Sequence, residues 1–341
     1  MNVVWLLVAL HFFIIGMLLL DFGVFRRQAH AISVREAAVW SCVWISLAMG
    51  FAAGIWQFWD YFFPHDAGNG STKAIEFVTG YIVELSLSVD NLFVFLVIFR
   101  YFAVPDALRH RVLFWGILGA VIMRATFILV GAALLHYLHW MIYVFGAFLI
   151  YTGYKLLLAG EEEVDPSKNP LLRLVRRYFP VIDNYDSPAF FIFRDGRWFA
   201  TPLPLVLVVV ESTDVIFALD SIPAIFGITR DIFIVYTSNI FAVLGLRALF
   251  FLLSGVLELF AYLKYGLACV LAFVGVKMLA QEPLEGVLHD YGMGQQQLTL
   301  GSLGVIALIL GFTIILSMLW AKPRQQELEW KTTCEEKSES V

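Results

Sequence analysis

Long apolar runs separated by short polar stretches set the architecture of this chain. Nine of them are long enough to cross a bilayer, which takes about 20 helical residues. They cover residues 3–20, 37–58, 75–99, 112–135, 140–158, 203–226, 232–254, 262–279 and 300–320. Each is read as a helix, because backbone polar groups in lipid must be satisfied within their own segment. The intervening basic residues set the orientation. Arg26, Arg27 and Arg35 lie in the first loop; Arg100, Arg109 and Arg111 in the third. Lys168, Arg173, Arg176, Arg177, Arg194 and Arg197 lie in the fifth, Lys264 in the seventh, and Lys322 and Arg324 begin the tail. The even loops hold little beyond Lys73 and Arg230. Odd loops and the C-terminus are therefore expected in the cytoplasm, with the N-terminus outside.

Composition agrees with this pattern. Of 341 residues, 60% are hydrophobic and 15% charged, against about 25% charged in soluble domains. The expected fold is an all-α polytopic membrane protein of about nine transmembrane helices, set in the cell's inner membrane. Net charge is −5, which favours no nucleic acid partner. Cys42, Cys269 and Cys334 are far apart and form no Cys-x-x-Cys or Cys/His metal cluster. No cleavable signal peptide is evident.

Two stretches break the apolar pattern. The run 75–99 carries three formal charges, all negative: Glu76, Glu84 and Asp90. Glu84 and Asp90 lie near its centre, in Glu84-Leu-Ser-Leu-Ser-Val-Asp90-Asn91. A later run holds Glu211-Ser-Thr-Asp214-Val-Ile-Phe-Ala-Leu-Asp220-Ser221. A charge at bilayer depth costs ~2.5–3.5 kcal/mol or more, so such groups face a partner or a cavity.

The two stretches belong to a repeat. Ser86–Asn91 aligns with Ile216–Ser221, Arg124-Ala-Thr-Phe with Arg247-Ala-Leu-Phe, and Gly153-Tyr-Lys155 with Gly275-Val-Lys277. Each unit has three helices, an odd number, so the second enters from the opposite side. Two inverted three-helix repeats are expected, at 72–158 and 203–280, with a binding site near the midplane between them. Two N-terminal helices (1–60) precede the repeats. Between them lies a cytoplasmic loop (159–202) with a short basic helix over 171–179 and a hairpin at Asp195-Gly196. An outer loop and last helix (281–320) and a disordered tail (321–341) follow.

Five interior carboxylates, Glu84, Asp90, Glu211, Asp214 and Asp220, face two deep cations, Arg124 and Arg247. Full ionisation leaves an excess of three negative charges, which protons or a bound cation must match. On a continuous helix Glu84, Ser88 and Asn91 share a face while Asp90 lies about 120° away. Glu211, Asp214 and Ser221 share a face and Asp220 does not. Either tight packing or broken helices could converge these groups, and Pro223 favours a break in the second unit. Carboxylate, hydroxyl, amide and carbonyl oxygens suit Mg²⁺, Ca²⁺ or Mn²⁺.

Glu84–Asn91, Glu211–Phe226 and Thr237-Ser-Asn-Ile-Phe-Ala-Val-Leu-Gly-Leu-Arg-Ala248 resemble the signature segments of the TerC family, close to its Alx branch and within a larger LysE-like group of transporters. The family is associated with tellurite resistance, alkaline response and manganese export. The resemblance implies a metal role for Glu84, Asp90, Asn91, Glu211, Asp214 and Asp220, with Ser221 or a freed carbonyl completing the shell. Arg124 and Arg247 would balance charge. The implied activity is export of Mn²⁺ in exchange for protons; no enzymatic chemistry and no resident cofactor are expected. Two other readings stand beside it: a LysE-like exporter of a small organic solute, and a membrane partner for metal loading or membrane-protein assembly that uses the cytoplasmic loop. An intramembrane aspartyl protease would show a Gly-x-Gly-Asp context, which is absent.

Overall fold

A computed structural model describes residues 2–26, 34–64, 69–158, 171–172, 180–182, 185, 189–194, 196–254, 263–290 and 295–320. Among them are nine helices and one hairpin. The helices are α1 (Asn2–Arg26), α2 (Val34–Phe62), α3 (Gly70–Tyr101), α4 (Asp106–Tyr137), α5 (Met141–Leu158), α6 (Pro202–Phe226), α7 (Ile232–Ser254), α8 (Leu263–Asp290) and α9 (Gln295–Trp320). They fall on the nine apolar runs. Eight are long and apolar enough to cross a membrane; among its described side chains α1 shows only a shorter apolar stretch, Val8–Met17. The protein is thus a mostly helical, multi-pass membrane protein. The expected basic helix over 171–179 and the charged tail lie largely outside the described residues.

Local signals fix several helix ends. Asn69 caps α3 by accepting the Thr72 amide at 2.8 Å. Thr201 precedes Pro202 at the first position of α6, where a missing N–H costs nothing. Asp231 accepts the amides of Phe233 and Ile234 at 3.0 and 3.4 Å, starting α7. Pro223 was expected to favour a break, but α6 runs through it to Phe226, and the Pro223 carbonyl accepts Gly227 N–H at 3.0 Å. Pro223 offers no N–H to the Leu219 carbonyl, yet α6 stays helical across it. α3 is likewise continuous across Asp90. α8 extends ten residues beyond the Ala280 end of its apolar span, into the expected outer loop.

α7 lies at the centre and is buried along nearly its whole length. α3 runs parallel to it, with Gly80 against Ser238 and Glu84 against Asn239. α2 crosses the outside of this pair through Trp44, Ala48, Phe77 and Phe241. α4 and α6 are parallel neighbours: Gly116 meets Val210 and Gly131 meets Phe226. α5 and α8 pack antiparallel at very short range. A Cβ on Gly146 would sit 3.0 Å from the Gly275 carbonyl, and one on Gly153 would sit 2.8 Å from that of Ala268. Small residues permit such backbone approach where lipid offers no hydrophobic drive between helices. Strands β1 (Phe191–Arg194) and β2 (Arg197–Ala200) form a hairpin that leads directly into α6, with Gly196 at φ +75° in its turn.

Candidate functional site

Four helices converge on one guanidinium. Arg124 of α4 is fully buried, as are Glu84 and Ser88 of α3 and Asn239 of α7; Asp214 of α6 is 2% exposed. Arg124 Nη1 donates to Glu84 Oε1 and, at 3.1 Å, to Asn239 Oδ1. Its Nη2 and Nε meet the two oxygens of Asp214 at 3.3 and 3.5 Å. Asn239 Nδ2 donates to Glu84 Oε2 at 3.1 Å, and Ser88 Oγ lies 3.4 Å from Glu84 Oε1. The planar fork of arginine suits this geometry, since one edge addresses Asp214 while the remaining nitrogen reaches Glu84. Two carboxylates against one guanidinium leave a net charge of −1 when both are ionised. Nothing apolar around them can offset that charge, and desolvation makes it expensive.

The other acids stand apart. Glu211, one turn earlier on α6, is half-buried and lies against Gly119 of α4, where any Cβ would collide with its carboxylate. Asp220 turns toward α5 and accepts Thr152 Oγ1 at 3.2 Å. Ser221 is 1% exposed, and its hydroxyl has no hydrogen-bond partner among the described residues. Asn91 and Arg247 are buried. Asp90 lies within α3, and its side chain is outside the described residues. Among the described residues, no three His, Cys, Asp or Glu side chains gather closely enough to hold a metal ion. Glu84 and Asp214 are brought together; Glu211, three residues before Asp214 on α6, lies within electrostatic reach of it, while Asp220 points instead to α5. The oxygen atoms around Arg124 come from Glu84, Asp214, Asn239 and Ser88, the hard donor types that divalent cations such as Ca²⁺ and Mg²⁺ take.

Asn239 is the participant that sequence reasoning did not single out. Its signal was present: Thr237-Ser238-Asn239 is a polar triplet in the middle of an apolar run. A second charged cluster lies at the start of α3. Lys73 Nζ binds Asp231 at 2.8 Å and stands 3.6 Å from the buried Glu76. Glu76 also accepts the Thr229 hydroxyl at 2.6 Å. This cluster ties α3 to the start of α7, and it too was not foreseen.

Three comparisons with known proteins bear on this arrangement. The family model described as "Integral membrane protein TerC family" matches residues 69–326, which contain every candidate residue. An "Uncharacterized membrane protein STKORF319" of Myxococcus xanthus is 49% identical over 307 residues, 90% of either chain. A protein of Escherichia coli (strain K12) named "Putative membrane-bound redox modulator Alx" is 50% identical over 254 residues, 74% of this chain and 78% of its own. Its namesake in Photorhabdus laumondii is 44% identical over 303 residues, 89% and 91% of the two chains. No solved structure matches the chain significantly.

Proposed function

The chain belongs to the TerC family of integral membrane proteins, and from that premise we propose that it is a transporter exporting a divalent metal ion, Mn²⁺, across the inner membrane in exchange for protons. One observation carries the reading: a fully buried guanidinium bridges two carboxylates from different helices inside a membrane-spanning bundle. Structural pairing alone would favour equal charge. Here one cation serves two acids, with Glu211 and Asp220 close by on α6.

Arg124 acts as a tethered stand-in for the cargo. With the ion absent it supplies one positive charge to Glu84 and Asp214, and one proton supplies the second. An entering M²⁺ brings both charges, so Arg124 withdraws and the proton leaves. The charge balance thus builds proton exchange into the site. Glu84, Asp214, Asn239 and Ser88 offer the first oxygens. Asp90, Asn91, Glu211, Asp220 and Ser221 serve the ion on its way in or out, and Arg247 balances charge further along α7.

Alternating access follows from two inverted repeats, α3–α5 and α6–α8, with the N-terminus outside and the odd loops in the cytoplasm. The packing of α5 on α8 supports this. The alignment that equates Gly153 with Gly275 equates Gly146 with Ala268. The contact Gly146–Gly275 then maps onto Ala268–Gly153, and both contacts occur. The relatives' name speaks of redox modulation. The described thiols, Cys42 and Cys269, are free and on different helices, so the reading rests on the carboxylates instead.

The test is Mn²⁺ uptake into inside-out vesicles. Glu84→Gln and Asp214→Asn should abolish it, and Asp90→Asn and Asp220→Asn should impair it. Wild-type rates in Glu84→Gln would sink the assignment. Stabilisation of the purified protein by an organic solute, and not by Mn²⁺, would favour a solute exporter.

A further inference from the structure

The hairpin that precedes α6 presents an aromatic face that the bundle does not cover. Paired residues on adjacent antiparallel strands project to the same side, and alternate residues to opposite sides. Phe193 pairs with Trp198, and Phe191 lies two residues from Phe193. These three rings therefore share one face. They are 43% (Phe191), 63% (Phe193) and 60% (Trp198) exposed. Phe193 and Trp198 meet edge-on, with centroids 5.3 Å apart. Ile192 and Phe199, on the other face, are half-buried.

The hairpin is held firmly in place. Ala200 N–H donates to the Pro180 carbonyl, and Ile182 N–H to that of Ala200, both at 3.0 Å. Thr201 N–H donates to the Phe190 carbonyl at 3.0 Å. Tyr185 Oη donates to the Phe102 carbonyl at 2.7 Å, fastening the same loop to the turn between α3 and α4. Exposure of the aromatic face is thus a property of a fixed element.

What adjoins that face identifies its partner. Phe190, at the foot of β1, packs edge-on against Trp115 of α4, 6.2 Å between centroids, and carries the Arg111 guanidinium 5.6 Å above its ring. Trp115 is 44% exposed on a membrane-spanning helix. Phe190, on the side of β1 opposite the three rings, thus holds the hairpin at the level of a lipid-exposed Trp of α4. Four-residue strands reach only about 13 Å, so the hairpin stays beside the membrane end of α6. An exposed Trp at this level matches the composition of a membrane-interface belt. The Arg111 guanidinium lies at the same level over Phe190, whereas Arg197 projects to the side opposite the three rings.

We propose that the aromatic face of the 191–200 hairpin binds the phospholipid interface of the leaflet beside it, with its rings at the headgroup–acyl boundary and Arg111 of α4 at the level of the anionic headgroups. The bilayer thereby fixes the position from which α6 starts, and α6 carries Glu211, Asp214 and Asp220. This inference rests on the membrane-spanning reading of α4 and α6 and is independent of the transported ion.

The test uses the full-length protein in nanodiscs containing phosphatidylethanolamine and phosphatidylglycerol. In a cysteine-free background, Phe193→Cys and Arg197→Cys are spin-labelled separately. At position 193, accessibility to oxygen should exceed that to a water-soluble nickel complex; at position 197, exposed on the opposite face, the order should reverse. Separately, the fluorescence difference between wild type and Trp198→Phe isolates the Trp198 signal, and brominated lipid should quench most of it. A water-like response at position 193 with no quenching would overturn the proposal. So would protection from both reagents, which would mean that a protein surface covers the face.

Discussion

Replacing Arg124 tests whether the guanidinium stands in for a cation. Arg124→Gln leaves Glu84 and Asp214 buried with their shared positive partner gone, and only Glu84 keeps a bond to Asn239. Breaking a buried pair by removing one member costs about 3–5 kcal/mol, because the surviving charge stays desolvated. Here two carboxylates lose one partner, so the upper part of that range is expected unless they take up protons. Mn²⁺ should restore what the substitution removes. A ligand that binds only the folded state at 100 times its Kd adds about 2.7 kcal/mol. In metal-free buffer Arg124→Gln should therefore be the least stable variant, and saturating Mn²⁺ should recover more than half of the loss. Arg124→Lys should fall between, since a single ammonium cannot span both acids. Adding Glu84→Gln and Asp214→Asn to Arg124→Gln removes both charges; stability should return and the Mn²⁺ response should vanish. The assay is reversible unfolding in mixed micelles, with and without Mn²⁺. Wild-type stability of Arg124→Gln in metal-free buffer would refute the reasoning. So would recovery with a monovalent salt alone.

Three further outcomes follow from the packing. Gly119→Ala pushes the flexible end of Glu211 from its notch on α4; stability should change by less than about 1 kcal/mol, while Mn²⁺ flux into inside-out vesicles falls if the seat of Glu211 matters. Asp231→Ala removes both the α7 cap and the Lys73 pair, and Asp231→Asn keeps the cap; the alanine variant should be less stable by about 1 kcal/mol more, read by the same unfolding assay. Gly275→Val drives side-chain atoms into the Gly146 carbonyl and Ile150; parting α5 from α8 should cost roughly 1–3 kcal/mol, and a cross-link between cysteines placed on the two helices should form more slowly.

The helices were legible because hydrophobic length is a strong signal in a membrane, where the backbone has no alternative to helix. The deep charges were legible for a related reason: each is costly alone, so Glu84, Asp214 and Arg124 announced a shared environment. Which of them meet was not legible. The partnership of Arg124 with Asp214 spans 90 residues of chain, and no helical period reports it. Asn239 hid because an uncharged amide barely disturbs an apolar run. The break expected at Pro223 did not occur: the proline withholds one donor from the Leu219 carbonyl, and the helix continues to Phe226. Lys73 was read only as a loop charge and Asp231 was not singled out, yet they join α3 to α7.

Helix geometry also constrains how the acids can share an ion. Glu84 and Asp90 are six residues apart on an unbroken α3, which sets them about 120° apart around the axis and about 9 Å apart along it. Asp214 and Asp220 stand in the same relation on α6. One ion bound between Glu84 and Asp214 therefore cannot also draw on both later aspartates while the helices stay straight. The observed contacts agree, since Asp214 turns to Arg124 of α4 and Asp220 to Thr152 of α5. The carboxylates therefore sit at successive levels of two helices rather than in one closed shell. On the export reading proposed above, an ion passing between them would exchange ligands, and each exchange would keep the bound state shallow enough to leave. A site with all four acids on one ion would hold it more tightly, whereas an exporter has to let go.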